Sequence, residues 1–428
     1  MKFPEVSLRF LSHVPIDAGT DVPADSGNPF EWTRYIRTTD ISSLTALDQA
    51  KRVTVPEEVA RLAPVQRDDI LMTRAGSIGT TYIHESDEPA AYAGYLVRWR
   101  VDKSKVWPKY MAYWTQSRHF QGQVATGVVR STIDNYSASK YRSTRAPVPA
   151  LDEQRRIADF LDAETAQIDT LIAEQERFIE LLRERRIAVI LRAVTKGLNS
   201  SAPLVATGID WLGSVPAHWQ VNRLKISVES SVAGVWGEDA KGDKHDVLCA
   251  RVADFDRPRL RVGDVPTVRS VKPADLAARG LRAGDLLLEK SGGTAINPVG
   301  FVAYFEGSDQ SVVCSNFVAR LRVASGQDPR YWLYAHAASY STKLTARSLN
   351  QTTGIQNLDQ RAYFDEKFPF PPAEEQKAIV RHIDEQTDCI DALVEVAEHN
   401  ITLSKERRAA LITAAVTGQI DVSTGRAA

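Results

Sequence analysis

Residues 147–197 read PVPALDEQRRIADFLDAETAQIDTLIAEQERFIELLRERRIAVILRAVTKG, and residues 369–419 read PFPPAEEQKAIVRHIDEQTDCIDALVEVAEHNITLSKERRAALITAAVTGQ. The two align without a gap at a constant offset of 222 residues. Pro149 falls on Pro371, Glu153-Gln154 on Glu375-Gln376, Asp162 on Asp384, and Ile168-Asp169 on Ile390-Asp391. Glu184-Arg185-Arg186 falls on Glu406-Arg407-Arg408, and Ala193-Val194-Thr195 on Ala415-Val416-Thr417. A register held over about fifty positions marks an internal duplication.

Apolar spacing says what each copy is. Leu161, Ile168, Ile172, Ile179, Leu182 and Val189 step by threes, fours and sevens, with Thr165, Gln175, Arg186 and Ala193 in the same seam. The second copy runs Ile383, Thr387, Ile390, Val394, Ala397, Ile401, Ser404, Arg408, Leu411 and Ala415. This heptad stripe predicts a helix of roughly forty residues, about 60 Å long, in each copy. Pro149 and Pro371-Pro372 stand just before each helix, where proline is tolerated. Each helix either packs on its own globular domain or pairs with the other; the same seam occurring twice in one chain favours pairing.

Working outward, residues 1–146 read as a mixed domain of short strands. Tyr35-Ile36-Arg37, Asp69-Ile70-Leu71-Met72 and Leu96 to Val101 are strand-like, and Trp107 to Trp114 opens a helix with proline in its first turn. Gly76 and Gly79 predict a tight turn. After a linker at Leu198 to Pro203, the stretch Gly208 to Trp219 opens a segment that echoes the first. Arg37-x-x-Asp40 is answered by Arg251-x-x-Asp254, Arg98-x-Arg100 by Arg320-x-Arg322, Pro108-x-Tyr110 by Pro329-x-Tyr331, and Ile133-x-Asn135 by Ile355-x-Asn357. Asp69 to Gly76 is answered by Asp285 to Gly292. The echo is fainter than in the helices. The helices have one constant job, and the domains two different ones.

The chain has 428 residues, 43% of them hydrophobic, enough for more than one core. No run of eighteen apolar residues suggests a membrane span, and Met1-Lys2-Phe3-Pro4 does not read as a signal peptide. Three cysteines with no pairing pattern suit a reducing cytoplasm, and scattered histidines argue against a metal site. The net charge of −1 is unevenly divided. Residues 1–146 carry nineteen basic against sixteen acidic groups, and 208–368 carry twenty against eighteen, whereas both helical repeats are acidic. From Arg98 to Arg145, ten basic residues face only Asp102 and Asp134, which predicts a phosphate-binding face or a solvated loop surface.

Catalytic signatures are missing. Lys290-Ser291-Gly292-Gly293 lacks the phosphate-loop pattern. Asn28-Pro29-Phe30 has one proline where amino-methyltransferases carry two, and no glycine-rich cofactor motif accompanies it. Asp68-Asp69 and Glu57-Glu58 read as solvated carboxylates.

The order of domain, long helix, domain, long helix resembles the specificity subunits of Type I restriction–modification systems, over nearly the whole chain. Its most specific parts are Pro-x-Pro-x-x-x-Glu-Gln entering each helix, the Asp-x-x-Thr-x-x-Ile-Asp-x-Leu run (Asp162 to Leu171, Asp384 to Leu393), and Ala-Val-Thr at each helix end. Gly208 to Trp219 looks like the usual opening of a second target-recognition domain, a signature the first domain lacks. The resemblance implies an α+β chain: two similar mixed α/β target-recognition domains separated by two long antiparallel coiled-coil helices, a pseudo-two-fold internal repeat. The expected divisions are 1–149 and 208–370 for the recognition domains, 150–207 for the first spacer helix and linker, and 371–428 for the second helix and tail. It further implies a non-catalytic DNA reader with no cofactor of its own. Each globular domain would read one half of a bipartite site, and the helices would set the spacer. Two methyltransferase (M) subunits that modify adenine N6 with S-adenosylmethionine would dock on it, and ATP-hydrolysing restriction (R) subunits would join to cut. The partners expected are double-stranded DNA and these subunits, with no membrane.

Two other classes compete: a non-catalytic coiled-coil interaction scaffold, and the recognition half of another restriction enzyme class. Failure to bind any duplex would favour the first, and methyl transfer by the chain alone the second. The DNA-contact candidates fall in two groups. Arg37 and Arg251, and Arg74 and Lys290, occupy matched positions that suit phosphates or the shared core rather than base reading. The polar stretches that differ between copies, Arg130-Ser131-Thr132 with Asn135, and Arg347, Asn350, Gln351 and Thr352 with Asn357, carry groups able to pair with base edges.

Overall fold

In the computed structural model, which describes residues 3–22, 33–128, 135–294, 296–352, 355–422 and 426–427, two helices dominate. Leu151–Lys196 runs 46 residues and Ala373–Val416 runs 44. At ~1.5 Å per residue each is about 65–70 Å long. Asp152 and Glu153, and Glu374 and Glu375, sit in the first turns, where carboxylates favour the helix dipole. Gly197 (φ 68°) and Gly418 (φ 71°) take the left-handed conformation just beyond the ends, as a helix stop requires.

The compact units do not follow chain order. One unit comprises Met1–Arg177 and Ala397–Ala428, the other Phe178–Val396, so each holds one globular domain and half of each long helix. In the first unit Ile157, Ala158 and Leu161 of one helix and Ile412, Ala415 and Val416 of the other are all buried in the domain core with Trp99, Tyr110 and Trp114. In the second, Ile190, Ala193 and Val194, with Ile379, Val380 and Ile383, join Trp332, Tyr331 and Phe368. Packing on a domain and pairing between helices are therefore both realised: the helix ends enter the cores, and the turns beyond them pair.

The helices run antiparallel within each unit, and the polar seam residues explain the pairing. Arg408 donates from Nε to Asp169 Oδ1 at 2.9 Å in the first unit, and Arg186 pairs with Asp391 in the second. These contacts are the same contact under the 222-residue offset. The Ile-Asp and Glu-Arg-Arg motifs are thus two halves of one interhelical ion pair, used twice.

Further pairs of matched bonds fix each domain to its helix. Gln154, fully buried, accepts from Trp107 N at 2.7 Å and donates to Pro149 O (2.8 Å) and Lys105 O (3.2 Å). Gln376, equally buried, accepts from Asp328 N at 2.9 Å and donates to Pro371 O (3.0 Å) and Gln327 Oε1 (2.9 Å). Tyr110 donates to Pro147 O at 2.9 Å, and Tyr331 to Pro369 O at 3.1 Å. Tyr113 donates to Asp162 at 2.7 Å and Tyr334 to Asp384; burial and the carboxylate push the Tyr113 hydroxyl up to about 12. Lys109 and Arg330 complete the same two carboxylates at 2.9 and 3.0 Å. The Glu-Gln and Asp-x-x-Thr motifs are therefore clamps between domain and helix.

The two domains share a framework. In the first, an antiparallel sheet orders Asp17–Ala18, Leu96–Trp99, Ile70–Thr73 and Thr81–Ile83. A second sheet orders Val53–Val55, Thr33–Ile36, Ala90–Tyr92 and Pro64–Val65, with the middle pair parallel. In the second domain the strands Val228–Ala233, Val318–Val323, Leu286–Glu289 and Val302–Tyr304 repeat the first sheet, extended by Arg261–Val262 and Phe255–Asp256. Val268–Ser270, Asp246–Ala250 and Val312–Cys314 repeat the second, again with a parallel pair. The strands expected from sequence around Ile36, Ile70 and Val97 form, as does the helix, at Pro108–Thr115; Arg37 lies just past its strand. Gly76 (φ 73°) and Gly79 (φ 85°) make the expected turn. The second domain adds the hairpin Leu204–Ile209/Gly213–Pro216 and a three-stranded sheet of Ser291–Gly292, Ile355–Leu358 and Leu349–Thr352. Among the described residues no helix is long and apolar enough to cross a membrane.

Replacing Gln154 or Gln376 by Leu strands the half-buried backbone N–H of Trp107 or Asp328 and the carbonyls the glutamine amide serves. Each variant should lose about 1–3 kcal/mol of stability, read as a lower urea midpoint at unchanged slope.

Candidate nucleic-acid interface

The basic run from Arg98 to Arg145 does not form the free cationic face its sequence suggests. Arg100 binds Asp69 at 2.6 Å, Lys103 binds Asp68 at 2.7 Å, Lys105 binds Asp102 at 2.9 Å, and Lys109 binds Asp162. Arg142 reaches Asp17 at 2.7 Å and Arg145 reaches Glu5 at 3.5 Å, while Arg98 donates to Pro64 O at 2.8 Å. Nearly all these carboxylates lie far away in sequence, and folding brings them to the cations.

The same sorting applies to the matched arginines. Arg37 is the extended residue before a short 3-10 turn, and its guanidinium donates to Asp40 (2.9 Å) and to Lys51 O (2.8 Å). Arg251 repeats this with Asp254 at 2.8 Å. Asp40 and Asp254 are buried, so both arginines neutralise framework carboxylates. Both arginines thus contact the shared core, with their side chains 34% and 38% exposed. Arg347 pairs with the exposed Asp210 at 2.9 Å.

Arg74 and Lys290 differ. Both are half-buried at the end of a central strand, and among the described residues neither pairs with a carboxylate. Each is followed by the same backbone link to a polar segment. Tyr136 N donates to Arg74 O at 2.9 Å beside the bridge between Ala75 and Asn135. Leu358 N donates to Lys290 O at 2.8 Å, and Ser291 faces Asn357. Folding thus brings Arg74 to Asn135 and Lys290 to Asn357, pairs separated by about sixty residues in sequence.

In the second domain Asn357 faces Asn350 across the hairpin of Leu349–Thr352 and Ile355–Leu358, and accepts a hydrogen bond from Ser291 Oγ. Asn135 Oδ1 is buried and has no hydrogen-bond partner among the described residues. The backbone of Gln351 and Thr352 belongs to the hairpin; their side chains, like Arg130, Ser131, Thr132 and the Asn28-Pro29-Phe30 triplet, lie outside the described residues.

Sequence reading missed the exposed aromatics beside these groups. Tyr95 is 55% exposed and Phe317 45% exposed, and they stand at the 222-residue offset. Arg74 N donates to Tyr95 O and Lys290 N to Phe317 O, both at 2.9 Å. Phe317 also lines a cleft of about 440 Å3 with Trp236, Gly292 and Asn316. The guanidinium of Arg269 stacks 4.6 Å from the Trp236 ring. The aromatic at a matched position was visible in sequence; its exposure was not.

The chain thus has two repeated mixed α/β domains, each tied to a pair of long helices and each carrying, beside an asparagine and an exposed aromatic, a cation that pairs with no carboxylate among the described residues. Residues 281–399 match the family model described as Type I restriction modification DNA specificity domain. The chain is 23% identical over 318 residues to the Type I restriction enzyme StySPI specificity subunit of Salmonella potsdam, covering 73% of this chain and 65% of that one. It is 21% identical over 282 residues to the Type I restriction enzyme EcoKI specificity subunit of Escherichia coli (strain K12), covering 64% and 58%. Both matches thus span less than two thirds of the relative's own length. The fold is that of a chain in a solved structure described as "Structural basis underlying complex assembly and conformational transition of the type I R-M system". TM-score is 0.69 at 16% identity, covering 98% of this chain and all of the other. The family model and the relatives show that the chain is similar to specificity (S) subunits of Type I restriction–modification systems, and the solved structure shows the fold.

Arg37→Ala and Arg251→Ala each leave a buried carboxylate without its cation and should cost about 1–3 kcal/mol. Arg74→Ala and Lys290→Ala should stay within about 1 kcal/mol of wild type, since no partner is orphaned. Thermal melts of the four variants separate framework from free cations.

Proposed function

We propose that this chain is the sequence-specific DNA-recognition subunit of a Type I restriction–modification complex. In this reading each globular domain reads one half of a bipartite site, and the paired helices fix the spacer. The observation that carries it is the repeat itself. Two domains keep one framework of sheets and clamps while their polar edges diverge, as two readers of different sequences on one scaffold require. Framework positions suit contacts without sequence information, and diverged polar edges suit base contacts.

Methyl transfer and cleavage belong, on this proposal, to partner M and R subunits, with two M subunits docked on the helices. Apolar side chains that point away from the helix seam support a docking surface. Leu171 and Leu403 are 45% and 47% exposed in the first unit. In the second unit Phe178, Leu181, Leu393 and Val396 are 41–58% exposed.

Two experiments test the reading. Replacing residues 208–368 with the equivalent domain of a relative should change one half of the methylated motif in a methylome of the expressing cell; a change in both halves sinks the two-reader proposal. Inserting one matched heptad after Gln175 and after Ala397 keeps the seam in phase and lengthens each helix by ~10 Å. At ~3.4 Å per base pair the spacer should grow by about three base pairs. The added pairs turn the second half-site by roughly a quarter turn or slightly more, so binding should weaken as the spacer lengthens. An active variant that keeps the original spacer would show that the helices are not the ruler.

A further inference from the structure

We propose that Tyr95 and Phe317 are positioning residues through which each domain stacks on a nucleotide of duplex DNA. This rests on the DNA-reading proposal and adds the contact made at each head. The two side chains occupy the third position of a tight turn that is built alike in both domains. Leu96 N donates to Ala93 O at 2.9 Å, and Val318 N to Ser315 O at 3.0 Å. The turn sequences, Ala93-Gly94-Tyr95-Leu96 and Ser315-Asn316-Phe317-Val318, share no residue, yet each places an aromatic outward.

The turn is held rigidly from both sides. From within, the strand ending at Arg74 or Lys290 donates a backbone N–H to the carbonyl of the aromatic itself. Across the turn, Gly19 N donates to Leu96 O (3.1 Å) and Thr20 N to Tyr92 O (3.2 Å). Gly234 N donates to Val318 O (2.9 Å) and Val235 N to Cys314 O (2.7 Å) in the same way. A Cβ on Gly19 would collide with the carbonyls of Tyr92 and Ala93, and one on Gly234 with those of Cys314 and Ser315. Both glycines are therefore required for the backbone approach that fixes the turn.

Scattered exposed apolar side chains are ordinary on any surface. A matched exposed aromatic on a matched rigid mount, in two domains whose surfaces otherwise diverge, calls for a shared ligand. Charge identifies it. The half-buried cation adjoining each aromatic has no carboxylate partner among the described residues, Arg74 reaching only the Gly94 carbonyl of the turn at 3.4 Å, so the patch keeps its positive charge for a phosphate. In a duplex an aromatic reaches a base face by wedging into a base step that it partly unstacks, and such a wedge is largely indifferent to base identity because every base has a π-face. That explains why the aromatic sits at a matched position while the neighbouring asparagine segments differ.

The test uses the full chain assembled with its methyltransferase partners, titrated onto duplex carrying the methylated motif over a range of salt. Tyr95→Ala and Phe317→Ala should each weaken binding about ten- to a hundredfold, with the slope of log K against log salt unchanged. Phe317→Leu, which keeps an apolar side chain without an aromatic face, should weaken it as well; Tyr95→Phe and Phe317→Tyr should bind like wild type. Lys290→Ala should instead flatten the slope by about one. Alanine variants that bind within about twofold of wild type overturn the inference and leave the DNA-reading proposal standing. So does a loss confined to methyltransferase assembly at equal DNA affinity. A wild-type complex that binds no duplex sinks the DNA-reading proposal itself.

Discussion

A buried glutamine at the start of each long helix is the bond on which the rest depends. Gln154 and Gln376 lie at the start of the helix, and their side chains accept from the loop that opens the domain's main helix. Both side chains are fully buried, so loss of their hydrogen bonds would be only partly made good by solvent. The neighbouring tyrosine–carboxylate bonds, Tyr113 to Asp162 and Tyr334 to Asp384, extend the same grip about two turns along the helix. A domain held at several points along a helix has its orientation fixed by that helix, which is what a reader mounted on a spacer needs.

The interhelical ion pairs complete the scaffold. A salt bridge exposed to water contributes little, about 0–1 kcal/mol. Arg186 and Arg408 are largely buried at the seam, however, and each meets an aspartate from the other helix. An unpaired charge there would be costly, so these pairs select the antiparallel register more than they add stability. A slip of one residue would separate both arginines from Asp391 and Asp169.

Electrostatics divides the surface in the same way. Arg67, Arg100, Lys103, Lys109, Arg142 and Arg145 of the first domain pair with carboxylates brought from elsewhere in the chain, which holds strands and loops together. Arg74 and Lys290, which pair with no carboxylate among the described residues, stand at equivalent strand ends beside an exposed aromatic and an asparagine. Such a division lets the framework stay constant while the adjoining segments vary: the second domain's three-stranded sheet at Ser291, Asn350 and Asn357 is an elaboration that only it carries among the described residues.

The duplication, the long helices, their seam and the pairing of the domains were legible in the sequence, because periodicity and register are properties of residue order alone. Proline before the helices, glycine after them and the heptad stripe each act over a few residues, and local chemistry decides them. The matched pairs Arg37/Arg251 and Arg74/Lys290 were visible too, but not that the first pair serves the core and the second meets no carboxylate among the described residues. Nor could the sequence say that the Arg98–Arg145 run is largely neutralised, that Glu-Gln and Asp-x-x-Thr are clamps, or that Tyr95 and Phe317 face outward. Those facts depend on which carboxylate, carbonyl or ring lies within a few ångströms in space, and contacts between residues tens to hundreds of positions apart are set only when the chain has folded.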